Sequence, residues 1–144
     1  AKALAAEGAL VAAHFGSSAD AAAQVVATIK AAGGEAFAIH ADLSKADGPQ
    51  TLFKALDVEL ETRTGSNKFD ILINNAGIAP FGSLEELSDE DFQRLTAVNI
   101  SAVYRVSKLA SARLRNGGRV LNLSSAVTRV GVASALAYSA TKGW

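Results

Sequence analysis

Cysteine is absent from the 144-residue chain, and histidine occurs only twice, as His14 and His40. The first absence excludes disulfides, thiolate nucleophiles and cysteine metal sites, and two distant histidines do not build a zinc site alone. A surplus of either charge is also lacking, since 14 Lys plus Arg meet 14 Asp plus Glu. Composition therefore lends no support to a nucleic-acid or membrane-surface partner. Gly, Asp, Asn or Lys breaks every apolar stretch before the roughly 18 residues that a membrane span needs. Any catalysis must use hydroxyls, carboxylates, amides or lysine. What is present is 49% apolar and only 19% charged residues, which suits a globular core and is unlike a disordered chain. The length suggests one domain, and no repeat or linker divides it.

Hydrophobic periodicity alternates between helix and strand. Residues 1–7 read as the last turns of a helix ending at Gly8, and 9–15 as a buried strand. Ser17 or Ser18 can cap the next helix, whose Ala22, Val25, Val26 and Ile29 share a face before Gly33 and Gly34 stop it. A strand fits 35–40. Gly48 and Pro49 open another helix with a Leu52, Leu56 and Leu60 stripe, and 65–68 is its turn. A third strand covers 69–74, and the Gly and Pro residues of 77–82 make a loop. Ser88 with Asp91 approaches a capping box for a long helix through Phe92, Leu95, Val98, Ala102, Val106 and Leu109, closed near 116–118. A fourth strand follows at 119–124, then a loop of small residues, and from Ala137 a helix begins. This order predicts right-handed crossovers and a doubly wound, Rossmann-like α/β fold with a parallel sheet. Ligands then sit beyond the carboxyl ends of the strands, at 14–18, 41–43, 74–77 and 124–126.

Tyr138 and Lys142 stand four residues apart at the start of a helix, so both side chains project from one face. A phenol of pKa about 10 is a weak base near neutrality, and an adjacent cation that stabilises its phenolate brings it towards useful acid and base chemistry. Tyr104 and Lys108 repeat the spacing inside the long helix, but Asp91 stands where the first pair has Ser125, so that pair reads as helix surface or interface. Ser124 and Ser125 end a strand, where a hydroxyl can bind a substrate oxygen. At Asn74, Asn75, Ala76 and Gly77 small residues and amides either admit a ligand to the backbone or simply form a turn. Asn99 lies between Val98 and Ile100, where a buried amide needs partners, whether as a site residue or as a core residue bonded to backbone.

Together NNAG at 74–77, VNI around Asn99, NLSS ending at Ser125 and YSATK from Tyr138 to Lys142 resemble the classical short-chain dehydrogenase/reductases. Order and spacing agree over essentially the whole chain, with Ser125 thirteen residues before Tyr138. The segments AEGALVAAHFGSS and AAGGEAFAIHADLS look most like the 3-oxoacyl-acyl-carrier-protein reductase branch and its carbonyl-reductase relatives. The resemblance implies hydride transfer between a nicotinamide and a small-molecule carbonyl or alcohol. Catalysis would fall to Asn99, Ser125, Tyr138 and Lys142. Tyr138 would move the proton, Ser125 polarise the oxygen, Lys142 lower the Tyr138 pKa and bind the nicotinamide ribose, and Asn99 hold a water linking Lys142 to solvent. Asp42 and Leu43 would flank the adenine, and Asn75, Ala76 and Gly77 line its ribose.

The first visible strand ends without the carboxylate that would repel a ribose 2′-phosphate. Phe15 and Gly16 are followed by Ser17 and Ser18, whose hydroxyls and amides suit a phosphate, so NADP(H) is favoured over NAD(H). Arg129 reads as a solvated loop residue rather than a partner for an acidic substrate. Competing readings are a non-catalytic nucleotide-sensing or scaffold member of the fold and, disfavoured by NNAG, an epimerase or dehydratase of the extended branch. The family's first strand with its Gly-rich turn would precede Ala1, and its last strands would follow Trp144, so residues 1–144 read as part of one dinucleotide-binding and catalytic domain. The isolated chain is then expected to expose strand edges and apolar faces and to be inactive. The intact protein is expected to be a cytoplasmic homodimer or homotetramer.

Overall fold

A computed structural model describes residues 1–143 as two compact units, Ala1–Asp42 with Asp47–Asn67, and Leu43–Ala46 with the residues from Lys68 onwards.

The first unit runs α1 (Lys2–Ala6), β1 (Val11–Phe15), α2 (Ala19–Ala31), β2 (Ala36–His40) and α3 (Gly48–Thr64). Strands β1 and β2 pair in parallel, from Val11 opposite Ala36 to Phe15 opposite His40. The apolar face expected of α2 is the one that packs: Ile29 joins Ala5 and Ala36 in a core against which Val11, Val25 and Val26 rest. On α3 the buried face turns slightly from the leucine stripe, because Phe53 and Leu60 are buried while Leu52 and Leu56 are half-buried. Burying a side chain such as Phe53 contributes about 1.5–3 kcal/mol. Gly65 ends α3 at φ +72°, a conformation that Gly adopts at no steric cost.

The second unit holds β3 (Phe69–Asn74), α4 (Asp89–Thr96), a π-helical segment (Ala97–Ala102), α5 (Val103–Ser111), β4 (Leu114–Asn122) and α6 (Leu136–Lys142). The Ser88 hydroxyl caps α4 by accepting from the Asp91 N–H at 3.1 Å while donating to the Asp91 carboxylate at 2.9 Å. Such a cap stabilises by about 1 kcal/mol. Leu95, Ala102, Val106 and Ala110 form the buried face of the long helix. Strands β3 and β4 are parallel, with Asn74 opposite Asn122.

Two expectations are corrected here. The long helix stops at Ser111 rather than near 116–118, and β4 starts at Leu114 rather than Arg119. The Asn116–Gly118 run, which looks like a helix stop, is a bulge inside the strand: Phe69 faces Leu114 while Ile71 faces Arg119. Gly117 takes φ +81°, and a Cβ on Gly118 would meet the carbonyl oxygens of Arg115 and Asp70 at 2.9 Å. Parallel pairing is as expected, but each unit has its own two-stranded sheet. Ile71, Ile73, Val120, Leu121 and Leu123 of the β3 and β4 region are exposed.

Candidate active site

The site is built at the carboxyl ends of β3 and β4, where the chain turns into loops, and on the helix that follows them. Asn99 is fixed first. It lies in the π-helical segment, whose turns are wider than those of an α-helix and recur at functional sites. The side chain is only 4% exposed. Its Oδ1 accepts from the Ile78 N–H at 3.0 Å, and its Nδ2 donates to the Ile78 carbonyl and to the Thr141 hydroxyl, both at 2.9 Å. The amide thus satisfies the donors and acceptors that burial demands, and all three bonds go to protein atoms.

Thr141 is 2% exposed and returns the connection to α6, donating to the Tyr138 carbonyl at 2.8 Å. One residue on, the Lys142 ammonium donates to the Leu123 carbonyl at 3.0 Å, just beyond β4. The Ser124 hydroxyl donates to the Lys142 carbonyl at 3.0 Å. Lys142 is therefore held at both its head and its backbone by the segment that carries Ser125. Gly77 approaches the same two side chains: a Cβ there would lie 3.3 Å from Asn99 Oδ1 and 3.4 Å from Lys142 Nζ. Glycine keeps that space open in front of the ammonium.

Ser125 is half-buried, and its Oγ accepts from the Val127 N–H at 3.4 Å. Its own proton is bonded to no acceptor among the described residues. Tyr138 is half-buried on the same helix as Lys142, one turn earlier. The other pair, Tyr104 and Lys108, lies on the outside of α5, with Tyr104 67% exposed, as the surface reading requires.

The remaining residues singled out in the sequence divide between the units. Asn75, Ala76 and Gly77 follow β3, where the Asn75 N–H bonds to the Ile73 carbonyl at 3.0 Å. Asn74 is structural, because its Nδ2 donates to Ser107 Oγ at 3.1 Å and to Asn122 Oδ1 at 2.7 Å. Leu43 belongs to this unit and Asp42 to the other, where Ser17 and Ser18 follow β1. Ser18 is the N-cap residue of α2 by position, but no side-chain hydrogen bond caps the helix. In that unit the His14 Nε2 donates to the Ala41 carbonyl at 2.8 Å, tying the ends of β1 and β2 together.

Sequence reasoning missed Ile78, Thr141 and the carbonyl of Leu123. Ile78 and Leu123 act through backbone atoms, which carry no side-chain signal. Thr141 had one: it is a polar residue three positions after Tyr138, on the helix side that a core would claim.

Residues 1–143 match the family described as short chain dehydrogenase. An uncharacterised oxidoreductase of Methylorubrum extorquens is 38% identical over 143 residues, covering 99% of this chain and 55% of the relative. Elsinochrome reductase 1 of Elsinoe fawcettii is 36% identical over 141 residues, covering 97% and 51%. Among solved structures, landomycin C-6 ketoreductase with bound NADP and rabelomycin superposes with a TM-score of 0.96 at 40% identity, covering 99% of this chain and 58% of that one. The chain spans about half the length of the curated relatives it matches. With the four motifs in order on a Rossmann-like α/β framework, the chain belongs to the short-chain dehydrogenase family.

Proposed function

We infer that the chain carries the proton-transfer site of an NADP(H)-dependent carbonyl reductase acting on a 3-oxoacyl compound or similar ketone. One observation carries the reading: Lys142, one helical turn from Tyr138 and beside the open space that Gly77 leaves, is anchored through a single N–H to the carbonyl of Leu123, which stands two residues before Ser125. An ammonium has three donors, so two remain for other acceptors.

These residues fit the nicotinamide ribose. Lys142 would hold its hydroxyls with the two unspent N–H groups, while Asn75, Ala76 and Gly77 would line the adenosine ribose beside a backbone stripped of bulk. When bound, NADPH supplies the hydride that reduces the carbonyl carbon. Ser125 donates its free proton to the carbonyl oxygen and holds it in place. Tyr138 delivers the proton that completes the alcohol, and the Lys142 charge favours the phenolate left behind. Asn99 fixes the segment bearing Gly77 relative to α6, and the water expected to resupply protons past Lys142 is part of the same proposal.

NADP(H) in preference to NAD(H) is supported by the NADP named with the landomycin enzyme and by the serines after β1. In the first unit, Ser17 and Ser18 would bind the 2′-phosphate, with Asp42 against the adenine. The keto-reduction in that enzyme's name supports a ketone substrate. Phe81, Leu84 and Val130, exposed on loops after the carboxyl ends of β3 and β4, favour an apolar one. Homodimer or homotetramer assembly and a cytoplasmic location complete the proposal. No helix among the described residues is long and apolar enough to cross a membrane.

Replacing Tyr138 with Phe in the whole protein tests the reading. Ketone-dependent NADPH oxidation is expected to fall by about 10²- to 10⁴-fold with NADPH binding retained. Unchanged turnover would remove Tyr138 from the reaction, and binding without turnover in the parent would favour a nucleotide-sensing role.

A further inference from the structure

Asn99 and Thr141 are the two buried polar side chains among the described residues, and they bond to each other. A core that excludes every other polar side chain but admits this pair calls for a reason beyond packing, since a valine has nearly the shape of threonine and needs no partner. The bond pattern supplies one. The Thr141 proton is committed to the Tyr138 carbonyl, so its oxygen only accepts, and only the Nδ2 side of Asn99 can face it. The Ile78 backbone demands the same orientation, its N–H facing Oδ1 and its carbonyl facing Nδ2, so the part left to the hydroxyl is to join that amide to α6. A flipped amide would set acceptor against acceptor and donor against donor at Ile78.

We propose that Thr141 is a positioning residue for the reaction, whose hydroxyl joins the Asn99 amide to α6 and thereby sets the Gly77–Ile78 backbone against Lys142 while holding the turn that bears Tyr138. The proposal rests on the proton-transfer reading given above. It acts through geometry on the page. Gly77 lies beside both Asn99 Oδ1 and Lys142 Nζ, so a shift of the amide and its Ile78 partner relative to α6 is felt where the ammonium must present its free donors. Thr141 itself touches neither substrate nor cofactor in this scheme.

The test compares Thr141→Val, Thr141→Cys and Thr141→Ser in the whole protein, with Tyr138→Phe alongside and folding judged by circular dichroism and NADPH binding. Valine and cysteine conserve volume while removing the hydroxyl, and serine restores it. The expected result is a kcat about ten-fold lower in the valine or cysteine variant, a ketone KM within about two-fold of the parent, and a serine variant within about two-fold of the parent in both. Parental kcat in a folded valine or cysteine variant would overturn the proposal. So would a serine variant as impaired as valine, or failure of both hydroxyl-free variants to fold, which would assign Thr141 to stability. Full activity of Tyr138→Phe marks the separate failure of the proton-transfer reading, because it removes the group that Thr141 is said to position.

Discussion

At Gly77 one methyl group is enough to disturb the site. A Cβ there falls at 3.3 and 3.4 Å from Asn99 Oδ1 and Lys142 Nζ, and Asn99 cannot yield easily because three hydrogen bonds hold its amide. The Gly77 backbone must give by a few tenths of an ångström instead, with the new methyl filling the space in front of the lysine head. Gly77→Ala should weaken NADPH binding and lower kcat, each by roughly ten-fold, at a stability cost within about 1 kcal/mol, as measured by fluorescence titration, turnover and urea unfolding. Glu86 makes a second residue-scale prediction. Its carboxylate accepts from the Ser83 N–H at 2.8 Å, and that bond, followed by the one with the Ser83 hydroxyl, lowers its pKa. A lowered carboxyl pKa stabilises the turn above the group's unfolded pKa, and that contribution is lost as pH falls through the lowered folded value. Amide shifts of Ser83 and Glu86 in the NMR spectrum should follow that acid titration, and Glu86→Gln should abolish it. The Ser83 to Glu86 spacing is a readable capping signature that the sequence reading passed over in favour of Ser88 and Asp91. By contrast, Asn99 was legible as a polar residue among apolar helix neighbours, although its partners were not: Ile78 contributes only backbone.

The long helix shows what periodicity can and cannot reveal at the scale of an element. Leu95, Ala102, Val106 and Ala110 mark one buried face from end to end, so the helix itself was legible. The π-helical segment at Ala97–Ala102 was not, because one widened turn leaves the apolar face nearly in register. It nevertheless decides where Asn99 points. An α-helix advances about 100° per residue, so deleting Ala97 to shorten the segment should swing Asn99 off Ile78 and Thr141. Helical circular dichroism should be largely kept while turnover falls by at least ten-fold; parental turnover would show that the segment is incidental. The start of β4 was misread for the opposite reason. Asn116, Gly117 and Gly118 carry a strong local turn signal, yet pairing with Phe69 extends the strand back to Leu114 and turns the glycines into a bulge.

For the whole molecule, the alternation of helix and strand was enough to give parallel pairing and the Rossmann-like class, and Asn75, Ala76, Gly77 and Ser125 follow the carboxyl ends of β3 and β4. Pairing partners were harder to read, since β1 with β2 and β3 with β4 is set by contacts distant in sequence. The residues of the proposed proton-transfer cluster lie wholly within one unit, in which Leu95 and Ala110 have no exposed surface. Leu95→Ala should therefore cost about 2–5 kcal/mol in unfolding experiments and lower the fraction of active protein without changing KM for the molecules that fold. In the proposed reaction a ketone takes hydride from NADPH while Tyr138 supplies the proton. The decisive measurement is mass spectrometry of the alcohol formed by the whole protein from an unlabelled ketone and NADPH deuterated at both C4 positions. One deuterium on the former carbonyl carbon, formed by the parent and lost with Tyr138→Phe, is the predicted result. An unlabelled alcohol, or labelled alcohol formed equally by the Tyr138→Phe protein, would contradict it.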